Sequence, residues 1–182
     1  MTTELAAGHG MTPDAAAPAT PGPSTDDPRL NAWRSFLHAH ARLTRRLDED
    51  LQAAHHLSLA EYDALLQLAR MPGRRLRMSA LAERVLLSRS GITRLVDRLE
   101  ASGMVKRSAC ATDARGAEAI LTADGLRRLR EASHTHLAGV ERYFLAVVSE
   151  PDQAAIERGL EQVIDNLGCA ATTAPACTTG DT

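Results

Sequence analysis

Residues 81–107 read LAERVLLSRSGITRLVDRLEASGMVKR, and they carry two separate helical phases. Leu81, Ala82 and Val85 make one short apolar face, while Ile92, Leu95, Val96 and Leu99 recur at three- and four-residue steps and make a longer one. Between the two stands Ser88, whose hydroxyl suits the start of a helix because it accepts a backbone N–H that has no partner there. After the second comes Gly103, suited to the left-handed residue just past a helix end. The stretch predicts a short helix, a turn and a second helix. With the second stripe buried, helical geometry turns Arg89, Ser90, Thr93, Arg94 and Asp97 outward. These polar groups concentrate in the N-terminal half of that helix.

Downstream the helical period is lost from Met104 to Thr122, where MVKRS and AEAILT read as two short strands around the loop ACATDARG. From Asp124 the period returns through Leu126, Leu129, Leu137, Val140, Phe144 and Val148, a long fifth helix. Glu150-Pro151-Asp152 breaks it, and Ile156, Leu160, Val163, Ile164 and Leu167 mark a last one. Upstream, Trp33, Phe36, Leu37, His40, Leu43, Leu47 and Leu51 define a first helix of about 24 residues. Ser58-Leu59-Ala60-Glu61 is a capping box opening a second helix with Tyr62, Leu65, Leu66 and Ala69 on one face, closed by Pro72-Gly73. The fold class is mainly α with a small β-hairpin wing, a winged helix-turn-helix between long terminal helices. The long helices are more than the small central core can cover. Their apolar faces call for a second copy of the chain, a homodimer.

Five of the eight prolines, Pro13, Pro18, Pro21, Pro23 and Pro28, fall in the first 28 residues. Residues 1–28 are therefore expected to form a disordered arm, and 168–182, rich in small residues, a disordered tail. The folded domain is placed at 29–167, with the winged helix-turn-helix at about 58–123 and the dimerisation helices at about 29–53 and 124–167.

A formal charge of -2 on 182 residues conceals a segregation. Residues 73–128 hold twelve basic and six acidic side chains, a balance of +6, and the remainder carries nine basic against 17 acidic, or −8. A basic reading head on an acidic body suits a polyanionic partner. An arginine outward on the second helix of a helix-turn-helix can pair bidentately with guanine, and a threonine can reach a phosphate or a thymine methyl. Gly91, in the first turn of that helix, either permits close backbone approach to DNA or relieves crowding against the preceding helix.

The run from Leu81 to Arg107, followed by TDARGAEAILTADG at 112–125, resembles the MarR family of bacterial transcription regulators. The likeness is carried best by Thr93–Glu100 and by Asp113, Arg115, Leu121 and Thr122, the D-x-R wing signature with its following L-T. It implies a homodimeric winged-helix protein binding a double-stranded, pseudopalindromic DNA operator as a repressor, in the cytoplasm. Family precedent also implies response to a small aromatic or anionic effector. Under the resemblance Ser88, Arg89, Ser90, Thr93 and Arg94 correspond to major-groove and phosphate contacts, and Arg115 to the wing arginine of the minor groove. Asp113 takes a bracing role, and Arg98 meets phosphate or the wing acid. Arg77, Ser79, Lys106 and Arg107 are assigned to the DNA backbone, where they position without reading sequence. Two positions depart from the pattern: Ala114 replaces one of two wing basic residues, and Leu86 stands where a small turn residue is usual.

The family's effector pocket lies where the dimerisation helices meet the winged domain, which nominates Trp33, Phe36, His40 and Tyr62 either as its lining or as plain packing. No metal is expected: His38 and His40, and His134 and His136, are two apart and point to different helix faces, and no Cys/His cluster or zinc motif appears. Cys110, near Lys106, Arg107 and Arg115, is a redox candidate or an incidental surface thiol. No catalytic motif or cofactor fingerprint is present, so no enzyme and no cofactor are expected. No apolar run reaches the roughly 18 residues of a membrane span, and MTTELAAGHG lacks a signal-peptide pattern. The competing class is a winged-helix module for protein or RNA interaction.

Overall fold

The computed structural model describes residue 22, residues 24–110 and residues 113–168. The side chains of 110 and 113–116 lie outside that description, as do most of the expected N-terminal arm and all but residue 168 of the expected tail, with Cys169 and Cys177. The elements follow as α1 (Leu30–His55), α2 (Leu59–Ala69), β1 (Arg75–Arg77), α3 (Met78–Arg84), α4 (Arg89–Ala101), β2 (Val105–Cys110), β3 (Asp113–Leu121), α5 (Ala123–Val140) and α6 (Glu150–Asn166). A π-helical turn, Glu141–Leu145, extends α5. Helix α1 runs through the boundary between two compact units, the first ending at Leu37 and the second beginning at His38.

In the first unit Asp27 starts the helix: its carboxylate accepts the Arg29 N–H at 2.9 Å and its carbonyl the Leu30 N–H at 3.0 Å. The second unit holds one core. Leu51, Leu57, Leu65, Leu68, Leu81, Ile92, Leu95 and Leu99 are fully buried there, each contributing on the order of 1.5–3 kcal/mol. The anticipated stripes of α2, α3 and α4 supply most of it.

The turn between α3 and α4 closes by a paired hydrogen-bond motif. The Leu87 N–H donates to Ala82 carbonyl oxygen at 2.9 Å and the Leu86 N–H to Glu83 at 3.3 Å. That pattern needs a left-handed residue after the helix, and Leu86 supplies it at φ 55° while 91% exposed. A leucine there costs on the order of 1 kcal/mol and gains no packing in return, but the turn forms. The end of α4 uses the same device with the residue that suits it: Gly103, at φ 74°, donates to Glu100, and the Met104 N–H to Leu99, both at 2.9 Å.

Two expectations need correction. The wing sheet has three strands in the order β1-β3-β2, all antiparallel, where the sequence suggested two. Strand β1 is three residues long, too short for periodicity to reveal, and it exists because Leu76, opposite Ala119, fills the core while its neighbours pair along β3. The fifth helix was expected to run unbroken to Val148, but it passes at Glu141 into the π turn. There the Tyr143 hydroxyl donates to Asp50 of α1 at 2.8 Å and accepts from Arg46 at 3.3 Å.

Thr122 joins the wing to α5. Its hydroxyl accepts the Gly125 N–H at 2.9 Å, capping the helix, and donates to the Gly103 carbonyl at 2.8 Å. Its N–H reaches the Met104 carbonyl at 3.1 Å. A Cβ on Gly125 would stand 2.1 Å from that Met104 oxygen, which is backbone and cannot swing away. Gly125→Ala is expected to cost about 3 kcal/mol, at the upper end for overpacking, as measured by denaturant unfolding. A cost below about 1 kcal/mol would show that the contact yields.

Candidate nucleic-acid interface

Helix α4 begins at Ser88, whose Oγ accepts the Gly91 N–H at 3.1 Å and lies 3.2 Å from the Ser90 hydroxyl. The cap is as expected, and it commits the Ser88 hydroxyl to the helix. A Cβ on Gly91 would come within 3.2 Å of that Oγ and 3.6 Å of the Leu87 Cβ. The glycine therefore clears its own cap and turn, not the preceding helix. Ile92, Leu95, Val96 and Leu99 are buried, and Arg89, Ser90, Thr93, Arg94 and Asp97 are exposed. Thr93 donates its hydroxyl to the Arg89 carbonyl at 2.8 Å. Among the described residues neither Arg89 nor Arg94 meets a carboxylate, so both guanidinium groups stand ready for an external anion. Lys106 on β2 and Ser79 on α3 are exposed as well.

Three of the other cations nominated for DNA are engaged within the protein. Arg107 is half-buried against α4, with Nη2 2.6 Å from Asp97 and 3.0 Å from the Thr93 carbonyl, and with Nη1 3.8 Å from Glu100. Arg77 sits in β1 directly opposite Glu118 of β3, a carboxylate that is buried and lies 3.9 Å from Arg75. Arg98 donates from Nε to Glu61 of α2 at 2.7 Å, where the sequence had suggested phosphate or the wing acid. Asp113 and Arg115 fall in β3, their side chains outside the described residues, as is that of Cys110.

Behind this surface the second unit has an open-sided cleft of about 630 Å³ between α1, α2 and α5. His40 and Tyr62, two of the four nominated effector residues, line it together with His136, Asp48, Asp63 and Val85. Tyr62 stacks on His136 with ring centroids 4.5 Å apart. Sequence reasoning missed His136, which was weighed only as half of a metal pair. Trp33 and Phe36 belong to the first unit, exposed, with ring centroids 6.0 Å apart. Among the described residues no group of three His, Cys, Asp or Glu side chains is placed to hold a metal, and no helix is long and apolar enough to cross a membrane.

A model of the MarR family matches residues 55–116. The crystal structure of Sco3205 from Streptomyces coelicolor, a MarR family transcriptional regulator in complex with DNA, is 32% identical. It aligns over 84% of this chain and 94% of its own, with a TM-score of 0.76. The chain belongs to the MarR family of transcriptional regulators. AbsC, another member from Streptomyces coelicolor, is 31% identical over 81% of this chain and 98% of its own at a TM-score of 0.72. The transcriptional regulator BldR from Sulfolobus solfataricus, 23% identical over 79% and 99% at 0.68, shares the fold. Among curated proteins none matches the chain.

In this MarR-family chain one carboxylate ties α4 to α2. Glu61 accepts Arg98 through Oε1 and the Ser58 N–H through Oε2 at 3.0 Å, while the Ser58 Oγ accepts the Glu61 N–H at 3.2 Å. Burial works to raise the Glu61 carboxyl, but the Arg98 guanidinium and the Ser58 groups outweigh it and hold it below its ordinary value. A carboxyl lowered on folding stabilises above its unfolded pKa and ceases to as pH falls through the folded one. Glu61→Gln is therefore expected to cost about 1–2 kcal/mol at pH 7, and the difference from wild type should shrink as pH falls below the ordinary glutamate value of about 4.3 and through the lowered one. Thermal unfolding across that range checks it, and a pH-independent difference would refute the ion pair.

Proposed function

We propose that this chain is a ligand-responsive repressor that binds a pseudopalindromic DNA operator as a homodimer and acts in the cytoplasm. The observation that carries the reading is the N-terminal half of α4. There Arg89, Ser90, Thr93 and Arg94 are all exposed opposite a fully buried apolar stripe, the arrangement a recognition helix needs to enter a major groove. Each protomer reads one half-site with this helix, about one helical turn from the other. Ser88, Ser79 and Lys106 line the phosphate track, with Arg77, Arg98 and Arg107 set behind it. Arg115, braced by Asp113, enters the minor groove from the wing. The protein acts by occupying DNA and turns over no substrate.

Dimerisation rests on the terminal helices, which form the outer parts of a domain spanning residues 29–167. None of the 17 residues of α6 is buried, and Ile156, Val163, Ile164 and Leu167 are exposed along it, the last by 77%. Apolar surface on this scale is covered in solution by a partner, and a second copy supplies a self-complementary one. The cleft lined by His40 and Tyr62 adjoins α1 and α5 and receives the effector. Occupancy there is transmitted to DNA through α2, whose first turn both lines the cleft and holds Arg98 by Glu61.

The operator is obtained by selecting genomic fragments with purified protein, and affinity by fluorescence anisotropy. Arg94→Ala is expected to lose about 1–3 kcal/mol with relaxed preference at one position in each half-site. Unchanged affinity and preference would remove α4 as the reader. Val163→Glu combined with Ile164→Glu is expected to halve the mass seen by light scattering while helix content is retained. A dimer that survives both charges would place the interface elsewhere.

A further inference from the structure

We propose that the cleft takes a small aromatic cation, of the arylalkylamine type, in preference to an aromatic carboxylate. This rests on the reading of the cleft as the effector site and assigns the charge of its ligand. Three lining groups carry formal charge: Arg45, Asp48 and Asp63. Arg45 is at the rim, its side chain 82% exposed, and its Nε is held by Glu49 at 3.0 Å. The Asp48 carboxylate accepts the Leu59 N–H at 2.7 Å, so it lies at the positive end of α2 and is offset by the helix dipole. Among the described residues the hydrogen-bond partner of Asp63 is neutral, the Gln67 amide at 3.3 Å. The cleft thus retains one anion with no cation to answer it.

The second observation is the imidazole beside it. His136 lines the same cleft, and its Nδ1 is buried with no hydrogen-bond partner among the described residues. Burial holds this imidazole below its ordinary pKa, with Asp63 pulling weakly the other way. It is neutral at pH 7, so it adds no positive charge for a carboxylate to use. That nitrogen is closed to solvent, so it is the rest of the His136 ring, not Nδ1, that meets a molecule in the cleft. The His136 ring, backed by the buried Tyr62 ring it stacks on, gives the cleft a flat wall against which an aromatic ligand packs. An ammonium group beside that wall donates to the Asp63 carboxylate, whereas a carboxylate would confront Asp63 with no counter-charge.

The test uses three probes that share one ring and differ only in charge: benzylamine, benzyl alcohol and benzoate. Each is titrated calorimetrically into the purified full chain, with the His136 ring nitrogens followed by long-range proton–nitrogen NMR. Benzylamine is expected to bind at least tenfold more tightly than benzoate and to move the His136 signals. Asp63→Asn is expected to bring benzylamine down to the level of benzyl alcohol, and Asp63→Glu to keep the preference, which separates lost charge from lost folding. Benzoate binding as tightly as benzylamine, or a preference that survives in Asp63→Asn, overturns the charge assignment and leaves the effector site standing. Failure of all three probes to bind near His136 overturns both.

Discussion

The wing, α4 and the long helix that follows them converge on the backbone of Met104. Its N–H ends α4 by bonding back to Leu99, and its carbonyl receives the Thr122 N–H. The first turn of α5 packs so closely on that carbonyl that only a glycine fits at position 125. A peptide group has no rotamer with which to adjust, so this is a rigid joint. The direction of α5 is set relative to α4 by this close backbone contact together with the Thr122 hydroxyl, which bonds the Gly103 carbonyl. For a protein of a DNA-binding family, a joint of this kind fixes geometry more exactly than flexible surface contacts do.

Electrostatics divides the basic residues into two populations. Arg98 and Arg107 are held by Glu61, Asp97 and Glu100 and serve as struts that fix α4 against α2 and the wing. Among the described residues Arg89 and Arg94 have no such partners. The distinction matters because a guanidinium already paired must give up that pair before it can serve a phosphate, whereas an unpaired one exchanges only water and counterions. The formal +6 of the central segment therefore overstates what is free to meet DNA.

Much of this was legible in the residues themselves. The stripe of α4, its Ser88 cap, the glycine after it and the capping box of α2 are local, and each follows from a repeat or a spacing within a few positions. Strand β1 was not legible, because three residues show no period and its partner lies more than forty positions on. Glu61 was read correctly as a capping residue, but its second bond, to Arg98, depends on how two helices pack. Tyr62 and His40 were nominated for the cleft on aromatic content and family likeness. His136 was passed over because the pairing with Tyr62 that gives it meaning spans more than seventy residues.

Leu86 carries a consequence for the order in which the molecule assembles. In an unfolded chain a leucine seldom visits the left-handed region that a glycine samples freely. The turn between α3 and α4 thus has little tendency to close by itself and cannot serve as a seed from which the two helices zip outward. Closure has to be driven by the burial of Leu81, Ile92 and Leu95 against the rest of the core. The helix-turn-helix is in this sense a product of collapse, and its geometry persists only while the hydrophobic contacts on either side of the turn persist.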